Sequence, residues 1–200
     1  MVALILERNE FEVKLFQPGM SKQFLSAFLS HITAVGLLAV FVFTFAAIAL
    51  NKPTLYAIVS VFMSLMYFFG LYSKASDIAR RDKLSYTTTS VYLFKGALLS
   101  VPILVWNFVL WLLYIFAWNS LTINGQLFSF SGVFYNILYV INTFMFSGLA
   151  EISGGNVEWH AHLLIYIVPV VALTLGYIAG VYDFSLAEKL APFMYEKKKK

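Results

Sequence analysis

The sequence predicts an all-α integral membrane protein: four transmembrane helices plus one external amphipathic or re-entrant helix. Three observations carry this. Hydrophobic residues make up 60% of the 200 and charged residues only 12%, about half the charged share of a soluble domain. The apolar residues come in runs long enough, as helices, to cross a hydrocarbon core of roughly 30 Å. The Lys and Arg residues fall between and after those runs, where basic side chains orient helices in a bilayer. The net charge of +4 therefore reads as a topology signal, and nucleic acid is not an expected partner.

Taken in order, residues 1–6 are apolar with no basic residue ahead of them and no small-residue cleavage site behind, so a removable signal peptide is not expected. Phe11, Val13 and Leu15 alternate with Glu12 and Lys14, the pattern of a short strand or interfacial stretch, and Gln17-Pro18-Gly19 ends it. The first span is expected over about 24–50. Asn51-Lys52-Pro53 leaves room only for a tight turn, so the second span, about 54–72, returns antiparallel to the first. Residues 73–96, with Lys74, Arg80, Arg81, Lys83 and Lys95, read as the main cytoplasmic loop. Arg80, Arg81 and Lys83 fix topology and attract anionic lipid at that face. The third span is about 97–118, with Pro102 expected to kink it near its start and Trp106, Trp111 and Trp118 marking depths along it. The last, about 163–182, contains Pro169 and then Gly176 and Gly180, a small-xxx-small pair suited to close helix contact. A tail ending Lys197-Lys198-Lys199-Lys200 follows.

Residues 133–150 are apolar enough to cross but carry Asn136, Tyr139, Thr143 and Ser147 at helical spacing on one face. The basic residues decide their treatment. If this segment does not cross, all of the 14 Lys and Arg residues except Lys52 lie on one side; if it does, Lys189 and the terminal lysines are stranded on the other. The first arrangement obeys the positive-inside rule, so 133–150 is read as external or re-entrant and both termini as cytoplasmic, in a cell membrane. No internal repeat and no Gly-, Ser- or Pro-rich linker divides the chain, so residues 1–200 form a single membrane domain.

The absence of cysteine excludes disulfides, thiolate catalysis and cysteine-ligated metal. No phosphate-binding glycine loop, His-Glu-x-x-His or Gly-x-Ser-x-Gly pattern is present. Ser129-Phe130-Ser131-Gly132 lacks the glycine expected two places before a membrane protease serine and reads as outer loop. The polar concentration from Glu151 to His162 precedes the last span. If 158–162 is extended, Glu158, His160 and His162 point the same way, a carboxylate and two imidazoles fit for a divalent metal such as zinc. If the helix has begun at Asn156, that residue is its cap, Glu158 sits in the positive first turn and the histidines are solvated. Beyond that metal, no cofactor is expected. His31, inside the first span with Ser26, Ser30 and Thr33, is either a proton or ligand site or a neutral imidazole bonded to a neighbouring helix.

The stretch from Arg81-Asp82 through Tyr92-Leu93-Phe94-Lys95-Gly96 to Pro102, and the end from Pro169 through Gly176-Tyr177 and Gly180 to Ser185, Glu188 and Lys189, resemble small four-span membrane proteins of Gram-positive bacteria that have no assigned function. The resemblance implies the topology and a bacterial cell membrane, and it brings no site residue. Two roles fit the residues. One is a non-enzymatic accessory or scaffold subunit of a membrane assembly, partnered by another membrane protein or by its own copies. The other is a small-molecule or ion transport or sensing component, with its external site at Glu151, Glu158, His160 and His162.

Overall fold

The computed structural model describes residues 19–84, 91–116, 120–123, 126–129 and 163–184. Their elements are α1 (Met20–Asn51), α2 (Pro53–Asp82), a short α3 (Lys95–Leu99), α4 (Val101–Phe116), the strands β1 (Ser120–Ile123) and β2 (Gln126–Ser129), and α5 (Leu164–Val181). Four helical stretches are long and apolar enough to cross a membrane: Met20–Phe41, Thr54–Asp82, Lys95–Leu112 and Leu164–Val181. The architecture is that of an all-α, multi-span membrane protein.

In α1, Lys22 is the only charged residue of 32, so no charge interrupts the run after its first turn, and its length of about 48 Å exceeds the hydrocarbon thickness. Lys52 alone separates α1 from α2, which starts on Pro53, the first-turn position where a missing N–H is harmless. α2 outlasts the expected span by a full ten residues. Residues 73–82 were expected in a polar loop, yet they continue the helix. Leu71, Ala75, Ile78, Ala79 and Asp82 are all buried and recur at three- and four-residue spacing, so the inward stripe persists while Lys74, Asp77, Arg80 and Arg81 lie to its sides. No Gly or Pro intervenes to stop it.

The third span is likewise corrected, from a kinked helix to two helices. Ser100 forms a turn between α3 and α4, its carbonyl accepting from the N–H of both Ile103 and Leu104 at 3.0 Å. Pro102 lacks the N–H that would continue the ladder to Leu98, so it opens a new helix instead of bending an old one. β1 and β2 pair antiparallel, Ser120 opposite Ser129 and Ile123 opposite Gln126, an addition to the helical expectation.

Contacts fix the directions. Gln23 near the start of α1 meets Asp82 at the end of α2, so these two are antiparallel. Gly96 lies against Leu173 and Thr174 and Asn107 against Ile165, so α3–α4 also runs antiparallel to α5. Gly176 faces Tyr72 and Gly180 faces Ser76, so α2 and α5 run parallel. The start of α1, the end of α2, the start of α3 and the end of α5 therefore share one end, called here the basic end because Lys22, Arg80, Arg81 and Lys83 lie there. α4 leaves this end and α5 returns to it.

The core is built on α2 and α5, from Leu71, Ala75 and Ala79 against Ala172, Leu173 and Tyr177, closed by Leu99 and Ile103. The outer faces carry Leu37, Val40 and Phe41 of α1 and Phe62, Met66 and Phe69 of α2, all exposed. In water such a surface would drive aggregation; against lipid it is the natural exterior.

Candidate functional site

The densest polar arrangement among the described residues lies at the basic end and is centred on Asp82. It closes α2, where the helix dipole disfavours a carboxylate. The sequence nonetheless keeps it on the inward stripe, eleven residues after Leu71, and its side chain is only 1% exposed. Three other elements supply what the dipole does not. Lys95, at the first position of α3 and equally buried, donates from Nζ to Oδ2 at 2.6 Å. Tyr177 of α5 donates its hydroxyl to the same oxygen at 2.9 Å. Gln23 of α1 donates from Nε2 to Oδ1 at 2.6 Å. The Lys95 ammonium also lies 5.9 Å from the centroid of the Tyr177 ring, within cation–π range. One carboxylate thus collects donors from α1, α3 and α5. The phenol of Tyr92, just ahead of α3, is pushed above its ordinary value by burial and, second, by the charge of Asp82, so it remains protonated at neutral pH.

Beside this group, Lys83 pairs with Asp183 at the surface. Asp183 takes φ 53° where α5 ends, with Phe184 N–H bonded to Ala179 O at 2.8 Å and Asp183 N–H to Gly180 O at 3.3 Å. This is the Schellman arrangement with an aspartate in the left-handed position usually given to glycine.

Two further polar contacts lie deeper. His31 Nδ1 and the Tyr67 hydroxyl are 2.7 Å apart, joining α1 to α2, with Phe28 packed on the imidazole and Trp106 of α4 packed edge-on against Phe28. Asn107 donates from Nδ2 to the Ile165 carbonyl at 3.3 Å. That carbonyl is the one left without a helical donor by Pro169, four residues on, so a side chain of α4 repairs the gap in α5.

Of the sequence candidates, His31 is the interhelical imidazole. Glu151, Glu158, His160 and His162 lie outside the described residues, as does the 133–150 segment. Among the described residues no three His, Asp or Glu side chains gather to hold a metal. The sequence reading missed Asp82 and Lys95 because it took Arg80-Arg81-Asp82-Lys83 for a topology determinant and Lys95 for part of the 73–96 loop. The helical spacing of Asp82 from Leu71, Ala75 and Ile78 was the available signal.

No protein family, curated protein or solved structure matches the chain. The resemblance noted in the sequence therefore carries no family assignment.

Proposed function

We propose that the chain is a non-enzymatic scaffold: an accessory subunit of a membrane assembly, set in a cell membrane with its basic end in the cytoplasm. The observation that carries this is the convergence on Asp82. Charged groups are kept inside membrane helices at considerable cost and usually for a purpose. Here the purpose they serve is joining, since each donor to Asp82 comes from a different helical segment, and Asn107 likewise joins α4 to α5. A bundle so tied presents fixed outer faces. Among them is an open, apolar groove between α4 and α5, lined by Leu104, Val105, Phe108, Ile167 and Val171, of a kind suited to an apolar helix of a partner.

The cytoplasmic placement rests on the basic residues, all of which except Lys52 belong to that side in a four-span arrangement. Arg80, Arg81 and Lys83, exposed at this end, would attract anionic lipid, each by about 1 kcal/mol. Reporter fusions after Lys83 and after Asn124 are expected to report cytoplasm and outside, respectively; the reverse pair would overturn the orientation. A photo-crosslinking residue in place of Phe108, activated in native membranes and read by mass spectrometry, is expected to capture a discrete protein. Adducts with lipid alone, together with a homogeneous monomer in native mass spectrometry, would overturn the scaffold reading.

A further inference from the structure

α3 and α4 meet at one residue. Among the described residues no backbone hydrogen bond runs from α4 directly to α3. The N–H groups of Ile103 and Leu104 both bond the Ser100 carbonyl at 3.0 Å, and the Ser100 N–H bonds the Ala97 carbonyl at 3.2 Å. The Ser100 hydroxyl also turns back to Ala97, donating to its carbonyl at 2.6 Å. Pro102 removes the N–H that would have bonded Leu98 and carried the ladder across the junction. Helices joined through such a gap bend there with little resistance from the backbone.

The two sides of the junction are held very differently. α3 is anchored by the buried Lys95–Asp82 pair, by Leu99, which is fully buried, and by Gly96, where an added Cβ would stand 2.5 Å from the Leu173 carbonyl oxygen. α4 is buried along a single line, Ile103, Asn107 and Leu110, while Val101, Val105, Phe108, Val109 and Trp111 are exposed. α5, by contrast, buries eight of its 18 residues. Among the described residues, the one hydrogen bond from α4 to another long helix is that of Asn107 to Ile165, at 3.3 Å. Toward α1 there is the edge-on contact of Trp106 with Phe28, ring centroids 6.0 Å apart. A side chain that leaves such a contact in lipid loses packing but meets a solvent as apolar as itself, so parting Leu110 from the core carries no hydrophobic penalty. Along one side α4 already stands off from α5, leaving the open groove of about 540 Å³ between Leu104 and Phe108 on one wall and Ile167 and Val171 on the other.

We infer that α4 is a hinged arm: it rocks about Ser100 on a fixed α3, with the Asn107–Ile165 bond as its catch, and so sets the width of the groove. The swing is limited, because the Ile165 carbonyl has lost its helical donor to Pro169 and would be left bare in the membrane without Asn107. Of the groove's two walls, α5 stays with the rest of the bundle and α4 alone adjusts to what enters. The hinge is a property of the chain by itself and does not rest on the scaffold role; its failure would leave the capture experiment at Phe108 untouched.

The chain has no cysteine, so pairs of introduced cysteines take spin labels without interference. With the full chain in lipid nanodiscs, a label at Ile58 of α2 is paired with one at Trp111 of α4 or, as the reference, with one at Ile167 of α5; all three positions are exposed. Double electron–electron resonance is expected to give an α2–α4 distance distribution wider by several ångströms than the α2–α5 reference. It should narrow in Pro102→Ala, whose restored N–H reaches the Leu98 carbonyl across the junction, and broaden further in Asn107→Ala, which frees the catch. A parent α2–α4 distribution as narrow as the reference would overturn the hinge. So would a width unchanged by both substitutions, because neither the junction nor the catch would then govern the arm.

Discussion

The bundle joins its helices in two unlike ways. Along the α2–α5 seam the contact is backbone on backbone. A Cβ at Gly176 would overlap the Tyr72 carbonyl and one at Gly180 the Ser76 carbonyl, so the parallel helices touch because nothing stands between them. At the basic end, about two to three turns along α2 from Ser76 and Tyr72, the same helices are joined by a buried charge whose donor on α5, Tyr177, lies between the two glycines. In lipid there is no hydrophobic force between apolar helices, and packing and polar contact must serve instead. The seam supplies attraction over a wide area with little directional content. The Asp82 group supplies one point that only a single register of α1, α2, α3 and α5 satisfies. The seam fixes that α2 and α5 lie together; the carboxylate fixes how the others meet them.

Four experiments sharpen or break this contrast. Lys95→Met leaves Asp82 buried without its counter-charge and is expected to cost about 3–5 kcal/mol in reversible unfolding in detergent. Adding Asp82→Asn to it should recover a large part of the loss. If Lys95→Met is no worse than the double variant, the pair is not a joint. Gly176→Ala is expected to cost about 1–3 kcal/mol, since the two backbones must part to admit a methyl group; an unchanged melting temperature would mean the seam is looser than described.

Asn107→Ala should cost about 1 kcal/mol, in the range of interhelical hydrogen bonds in membranes. The same change in a Pro169→Ala background should be nearly silent, because the restored N–H takes over the Ile165 carbonyl. Equal costs in both backgrounds would separate Asn107 from that role. The smallest effect is one of pH. A phenol whose value is raised on folding stabilises fully below its unfolded value near 10 and loses that contribution as pH rises through its folded value. Stability should therefore decline at strongly alkaline pH by an increment absent in Tyr92→Phe, measured as the difference between the two unfolding midpoints; superposable pH curves would rule the Tyr92 contribution out.

The sequence showed one joint and hid the other, and the reason is physical. Gly176 and Gly180 were visible because glycine four apart in an apolar run has few other uses. Asp82 and Lys95 were not, because Asp82 sits among charges, between Arg81 and Lys83, and Lys95 follows a polar stretch of Tyr, Thr and Ser, and such segments beside apolar runs are read first as surface. Burial depends on which face of the helix points inward, and for α2 that face was set by contacts with α5, 95 residues away at Tyr177. The break at Ser100 was partly legible from Pro102. The Asn124-Gly125 pair between β1 and β2, the dipeptide that most favours a two-residue hairpin, was legible and was passed over. The reading of His31 as an interhelical imidazole needed only its isolation in an apolar run.

The three bonds to Asp82 close sequence separations of 13, 59 and 95 residues, and a chain inserted into a membrane as it is made acquires them in a set order. Gln23 is already present when α2 emerges, Lys95 follows within a short stretch of synthesis, and Tyr177 comes only when α5 has entered. Until Lys95 arrives, the Asp82 carboxylate lacks the ammonium that accompanies its burial, which favours keeping the end of α2 at the water boundary. The carboxylate can sink to its final depth only after its ammonium is in reach, and the last donor arrives with the last helix. Assembly of the basic end is thereby timed by the position of α5 in the chain, so that a nascent bundle stopped short of Tyr177 is marked as incomplete by an under-satisfied charge at its basic end.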